Sequence, residues 1–383
     1  MALTPYGKTG GPSWPALRFV GSKFADPRLL GLNTSQSIPM RLVDLVHASI
    51  TVSRQPWYAP SPPAWVWERN FRATLVRAFL ELSPKSANHW QATPNYHALE
   101  ASEKGAISFL LGCVLTNALA RRQFSMWHLI QLTQTRMSNV KVSSGSAKRR
   151  SRPDFVLADP STSDWCLFEV KGRSGSQRTK FGTRTKANDL LVEKAMSQLL
   201  KQGPGSKAGL PPPTPAATYQ RLGRDALATV VSIAALERGG LMVEWIDPPS
   251  RDAPEDPPTR GPRARAKRHQ NEVQEEGLYT AYYRSVLQML GPKSETERRT
   301  VGNTSLLMSH SDEADIDLGL AERLTDVLVD GAERDVLEAA ASLRLEIGNG
   351  LYVDDDYTLL GGDGVLVLLG DSWRGLEETS RET

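Results

Sequence analysis

The sequence predicts an α/β protein whose working part is a mixed sheet. Three observations carry this. From His97 to Arg122, apolar Ile107, Leu110, Leu111, Val114, Ala118 and Leu119 recur at helical spacing. Two short β-type runs, Asp154 to Asp159 and Trp165 to Lys171, flank the polar turn Pro160 to Asp164. An amphipathic segment, Ala187 to Gln202, then leads to the apolar runs Ala226–Leu236 and Leu241–Ile246, with Arg238-Gly239-Gly240 as their turn. With a strand at Phe124–Leu132, the order is helix, strand, strand, strand, helix, strand, and one strand more. This divides the chain into a mostly helical region 1–97, a core 98–247, a Pro/Arg-rich linker 248–270 and an acidic region 271–383 of mixed α+β character.

The remaining elements follow in order. Residues 1–36 are rich in Gly, Pro and Ser and read as irregular. Helical spacing runs from Pro39 to Ile50 and again from Ala64 to Leu82, where Ser83-Pro84 stops it. Trp57, Tyr58, Trp65 and Trp67 suit core packing and loop anchoring, with base stacking as the sharper alternative. Gly203 to Ala217 reads as a surface insertion, and Arg263 to Arg268 as a solvated linker or a phosphate-binding arm. Glu272 to Leu290 predicts a helix, and Arg298 to Ser311 an irregular stretch. Two helical pieces broken near Gly331 span Ile316 to Leu345, and Gly350 to Leu369 reads as a hairpin around Gly361-Gly362-Asp363-Gly364. There are no internal repeats.

Composition excludes several classes. No apolar run reaches membrane-spanning length, and Met1-Ala2-Leu3-Thr4-Pro5 lacks the character of a signal peptide. Cys113 and Cys166 fall on an apolar helix and an apolar strand face, which suits core thiols better than a disulfide. A cytoplasmic protein without membrane contact is expected. There is no phosphate-binding GxxxxGK[ST] loop, no GxSxG and no paired CxxC, and the six histidines have no metal-ligand spacing. Asp354-Asp355-Asp356 and Asp363 fit no EF-hand loop, and Asp312, Glu313, Asp315 and Asp317 suit capping of a helix start. The net charge is +3, yet Ser311–Thr383 carries 19 acids and 5 bases, leaving −14 there and +17 in the rest. A basic body suggests a polyanionic partner, with general solubility as the plainer reading.

The chemistry concentrates in the predicted hairpin. Residues i and i+2 of a strand share a face, so Glu169 and Lys171 project together, away from Cys166, Phe168 and Val170. A hairpin register brings Asp154 beside Glu169. Two carboxylates and an ammonium on one face are costly unless something binds there, such as a divalent cation with water and phosphate. The alternative is a solvated sheet face. Against it stands the basic surround: Lys141 to Lys186 holds 11 bases and 4 acids.

Pro153-Asp154 followed by Glu169-Val170-Lys171 resembles the PD-(D/E)xK, or restriction-endonuclease-like, nuclease superfamily. The resemblance is firm over 153–171 and looser over about 98–247. It implies a core of order αβββαβ and Mg²⁺-dependent hydrolysis of DNA, with Mn²⁺ as a substitute. It implies that Asp154 and Glu169 ligate the metal, that the Val170 carbonyl completes the shell and that Lys171 assists the attacking water. A helix before the first strand supplies another acidic ligand in many members. Glu103 is the choice here and Glu100 the second, although both also suit the helix dipole. In one branch a glutamine of the later helix joins the site. Gln198 matches it, but position 202 is Gln where that branch has Tyr, so an ordinary exposed helix position stays open. Lys148, Arg149, Arg150, Arg152, Arg173, Arg178, Lys180, Arg184 and Lys186 would contact nucleic-acid phosphates. A restriction or phage-defence setting follows from the resemblance alone, as does a homodimer or a partner bound through the acidic region. An RNA-directed nuclease and a non-catalytic binding or assembly module on the same fold are the alternatives.

Overall fold

Alternating apolar residues build the first sheet from distant parts of the chain. A computed structural model describes residues 3–5, 15–22, 30–52, 64–83, 89–131, 154–162, 164–174, 226–233, 241–246, 275–353 and 357–378. Strands β2 (Ala16–Ser22), β3 (Ser35–Pro39), β6 (His128–Gln131), β7 (Phe155–Asp159), β8 (Asp164–Ser174), β9 (Ala226–Ile233) and β10 (Leu241–Ile246) form one seven-stranded sheet in the order β3-β2-β10-β9-β8-β7-β6. The β8–β9 and β10–β2 pairs are parallel and the others antiparallel. The chain is thus a mixed α/β protein. The parallel step from β8 to β9 requires a crossover. That crossover, with the helix expected at Ala187–Gln202, lies outside the described residues, as do the expected linker 248–270 and Asp354-Asp355-Asp356.

A second seven-stranded sheet is antiparallel throughout, in the order β1-β14-β15-β16-β13-β12-β11. Its strands are β1 (Leu3–Pro5), β11 (Glu297–Val301), β12 (Thr304–Ser311), β13 (Ile316–Ala321), β14 (Leu351–Val353), β15 (Thr358–Leu360) and β16 (Val365–Leu369). A two-stranded ribbon joins β4 (Leu80–Leu82) to β5 (Trp90–Ala92). The helices are α1 (Leu42–Thr51), α2 (Ala64–Phe79), α3 (Pro94–Ala98), α4 (Ala101–Phe124), α5 (Glu275–Leu290), α6 (Glu322–Asp330), α7 (Glu333–Ile347) and α8 (Asp371–Glu378). Among the described residues no helix is long and apolar enough to cross a membrane. Cys113 and Cys166 are buried free thiols.

Several expectations are corrected. Residues 1–36 are not irregular throughout: among the described residues of 1–97, strands stand beside the helices, Leu17 and Phe19 of β2 are buried, and β2 sits beside β10. Some of the Gly and Pro that suggest irregularity lie within strands, Pro5 in β1 and Gly21 in β2. Helix α2 ends at Phe79, and Leu80–Leu82 turns to strand. The long helix begins after Glu100, its N-cap, and runs through Phe124, so β6 starts only at His128. Arg298–Ser311 is a β-hairpin, and Ile316–Ala321 is a strand rather than a helix. Burial largely alternates along β12, whereas β13, paired on both sides, is buried almost throughout. Asp312, Glu313 and Asp315 therefore lie at a hairpin turn, where Asp315 has φ +49°, and not at a helix start. The break near Gly331 is as expected, between α6 and α7.

Every residue of α1 is buried, and α1 packs against α2, α4, α5, β15 and β16. Burying its polar residues requires partners. Arg121 of α4 donates to Nδ1 of His47 and to Thr51. That donation fixes the neutral tautomer, so Nε2 carries the proton and donates to the Val365 carbonyl at 3.0 Å, with Asp363 Oδ1 at 3.6 Å. Asp363 accepts from the Tyr282 hydroxyl, and its carbonyl accepts from Tyr283 at 3.0 Å. Tyr283 in turn meets His128 Nε2 at 2.7 Å. Arg344 of α7 spans Asp159 at the end of β7 (3.2 Å) and the Ser125 carbonyl after α4 (2.7 Å). The two sheets are joined by buried charge as well as by apolar contact.

Burial lowers both His47 and His128 to about 4. A histidine held neutral in the fold favours the unfolded chain once the latter protonates. Its stabilisation is full above the unfolded value of 6.5 and is lost as pH falls towards 4. Denaturant unfolding at pH 7 and pH 5 is expected to show a loss of about 2 kcal/mol from His47 alone, reduced by that amount in His47→Gln. Asp363→Ala, which strips the counter-charge from this network, is expected to cost about 3–5 kcal/mol at neutral pH.

Candidate active site

The hairpin register decides the site. Phe155 pairs with Phe168, so Asp154, one residue earlier, stands opposite Glu169. The ladder stops at Phe155, and the Asp154 carboxylate takes over the next backbone partner: its Oδ2 accepts the Val170 N–H at 2.9 Å. At the other end, Asp159 Oδ1 accepts from Ser161 N–H at 2.9 Å and from Ser161 Oγ at 2.6 Å, closing the turn. Lys171 reaches back along its own strand face. Its ammonium donates to Glu169 Oε1 and lies 3.7 Å from Asp154 Oδ2. The predicted trio of Asp154, Glu169 and Lys171 therefore comes together.

The trio is recessed. The side chains of Glu169, Asp154 and Lys171 are 0 %, 15 % and 19 % exposed. Burial raises Glu169 to about 7; the Asp154 charge adds to this and Lys171 opposes it. Burial also raises Asp154, against Lys171 and the Val170 N–H. Glu169 Oε2 is buried without a hydrogen-bond partner. A buried carboxylate oxygen with nothing to accept from is costly, and a cation is the partner that an ionised acid lacks.

The opposite face of β8 is packed by α4. Val170 Cγ1 would lie 3.3 Å from a methyl group on Gly112, and a methyl group on Gly172 would lie 1.9 Å from the Ser108 carbonyl oxygen. Only glycine allows α4 to approach the strand so closely just after Lys171. Ser108 is itself held by Tyr96, hydroxyl to hydroxyl, at 2.6 Å.

The other predicted residues are distributed as follows. Glu103 is exposed in the first turn of α4, and its carboxylate accepts the Glu100 N–H at 2.9 Å. Among the described residues it bonds to none of the trio. Lys148, Arg149, Arg150, Arg152, Arg178, Lys180, Arg184, Lys186 and Gln198 lie outside the described residues. Arg173 lies within β8, but its side chain is outside them. Among the described residues no group of three or more His, Cys, Asp or Glu side chains could hold a metal ion. A metal here would rest on two carboxylates and take its other ligands from water and phosphate, as Mg²⁺ prefers.

One residue escaped the sequence reading. Glu244 is buried on β10, and the register Lys171–Val230–Glu244 puts it on the face of Lys171, two strands away. An acid in the middle of the apolar run Leu241-Met242-Val243-Glu244-Trp245 was the available signal.

Gly172→Ala is expected to lower stability by about 1–3 kcal/mol, because the added methyl must push backbone apart. Gly105→Ala, on the same helix with nothing within 4 Å, is expected to raise it by about 0.5–1 kcal/mol. Urea unfolding of the two variants distinguishes a tight contact from general tolerance of alanine.

The chain matches no family model, no curated protein and no solved structure in these comparisons. The function therefore rests on the side chains themselves.

Proposed function

We propose that this chain is a divalent-metal-dependent nuclease that hydrolyses DNA phosphodiester bonds on a restriction-endonuclease-like core. The observation that carries the reading is the facing pair of recessed carboxylates, Asp154 and Glu169, with the Lys171 ammonium over them and Glu169 Oε2 unpartnered. The strand order around the pair supports it: α4, then the antiparallel β6–β7–β8, then β9 parallel to β8. The resemblance at Pro153-Asp154 and Glu169-Val170-Lys171 implies the order αβββαβ, whose second helix falls outside the described residues.

Asp154 and Glu169 would hold Mg²⁺ or Mn²⁺, with water, phosphate and the Val170 carbonyl as further ligands; Glu103, whose carboxylate caps its own helix, stays outside this set. When bound, the metal supplies charge for the phosphoryl oxygens and a more acidic water. Lys171 orients the attacking water or places its charge on a phosphoryl oxygen. The recessed position of the trio keeps these charges effective by limiting bulk water. The basic residues flanking the hairpin, from Lys148 to Lys186, would bind backbone phosphates and bring the scissile bond over the acids.

The test is cleavage of plasmid DNA and of RNA with Mg²⁺ or Mn²⁺. Wild type is expected to nick or cut DNA, and Glu169→Ala and Lys171→Ala to lose about 100-fold or more. Cleavage of RNA alone would change the substrate class. No cleavage by wild type would favour a binding or assembly module, and full activity in both variants would move the site elsewhere.

A further inference from the structure

We infer that Lys171 is a built-in counter-ion occupying the cation position between Asp154 and Glu169, and that it must leave before a divalent ion can bind. The inference rests on the nuclease reading and adds a control to it. Three features of the geometry carry it.

The first is placement. Glu169 and Lys171 are two residues apart on one strand and share a face, so the lysine stem folds back over its own neighbour. Its ammonium bonds to Glu169 Oε1 and stands 3.7 Å from Asp154 Oδ2, touching both acids at once. Among the described residues no other cation pairs with either carboxylate.

The second is need. Two recessed carboxylates facing each other repel, and little water reaches them. A single ammonium between them is the least that makes the pair tolerable. Without it the hairpin would carry uncompensated charge where Asp154 also holds the Val170 N–H.

The third is the gap. Lys171 satisfies only one oxygen of Glu169, and Oε2 stays unpartnered and buried. An incoming divalent ion has a point of first contact there. Completing its shell with Oε1 and with Asp154 Oδ2 would set it against the ammonium, because like charges do not share the same oxygens at contact distance. Lys171 then swings out on its flexible four-carbon stem, still anchored beside the acids and free to meet a phosphoryl oxygen or the attacking water. Arming the lysine and loading the metal become one event.

Mn²⁺ binding to the full-length chain, followed by electron paramagnetic resonance, tests this without any turnover. Lys171→Met keeps the bulk of the stem and removes the charge. It is expected to bind Mn²⁺ at least tenfold more tightly than wild type, while Glu169→Gln binds it hardly at all. Equal or weaker binding by Lys171→Met overturns the inference. A second measurement needs no substitution to fold well. In wild type with ¹³C-methylated lysines, the Lys171 resonance is expected to shift and sharpen as Mg²⁺ saturates the protein. An unmoved resonance under saturating, Glu169-dependent binding overturns the inference and leaves the nuclease reading standing. If wild type and Lys171→Met both bind no Mn²⁺, the nuclease reading itself falls.

Discussion

Charge taken out of water must find a partner, and this fold meets that requirement in two different ways. At the junction of the sheets, Arg121 and Asp363 are linked through a neutral His47, and Tyr282, Tyr283 and Thr51 fill in around them. Each ion there has an opposite charge or a dipole close by. At the β7–β8 hairpin the balance is incomplete: two acids share one ammonium, and a carboxylate oxygen remains without a partner. The first arrangement holds pieces together. The second leaves room for something to arrive.

The hairpin was legible because it is local. Period two, a polar turn and the identity of three side chains put Asp154, Glu169 and Lys171 together, and no distant residue had to be known. The helix behind it was legible for the same reason, although its capping residue Glu100 could not be told from a first-turn residue by spacing. The short N-terminal strands were not legible. Seven residues of β2 between Gly and Pro carry too little periodicity to announce a strand, and what makes them one is β10, more than two hundred residues later. β13 was mistaken for helix because Ile316, Leu318 and Leu320 run without a break into a true amphipathic helix. The junction was out of reach altogether. His47 and the Val365 carbonyl lie 318 positions apart, and neither residue type signals the other.

The acidic C-terminal part changes character in this light. Its net negative charge suggests a partner-binding surface, and two of its charged residues also serve the fold. Asp363 and Arg344 are buried and reach into α1 and the end of β7, the strand that follows Asp154. The site hairpin is held from both ends: Asp154 fastens to the Val170 backbone, and Asp159 is fastened to α7 by Arg344.

The pairing of β1 with β14, and of β2 with β10, has a further consequence for how the molecule comes into being. β1 and β2 cannot be paired until the matching strands have been made, one of them near residue 350. Closing loops of that length is slow relative to local helix formation, and partially made chains expose unpaired strand edges meanwhile. The hairpin bearing the acids pairs residues close in sequence, whereas β2 and β10 pair residues more than two hundred positions apart. Partner strands so far apart in sequence make the sheet around Asp154, Glu169 and Lys171 a late product of synthesis, closed only once β10 has been made.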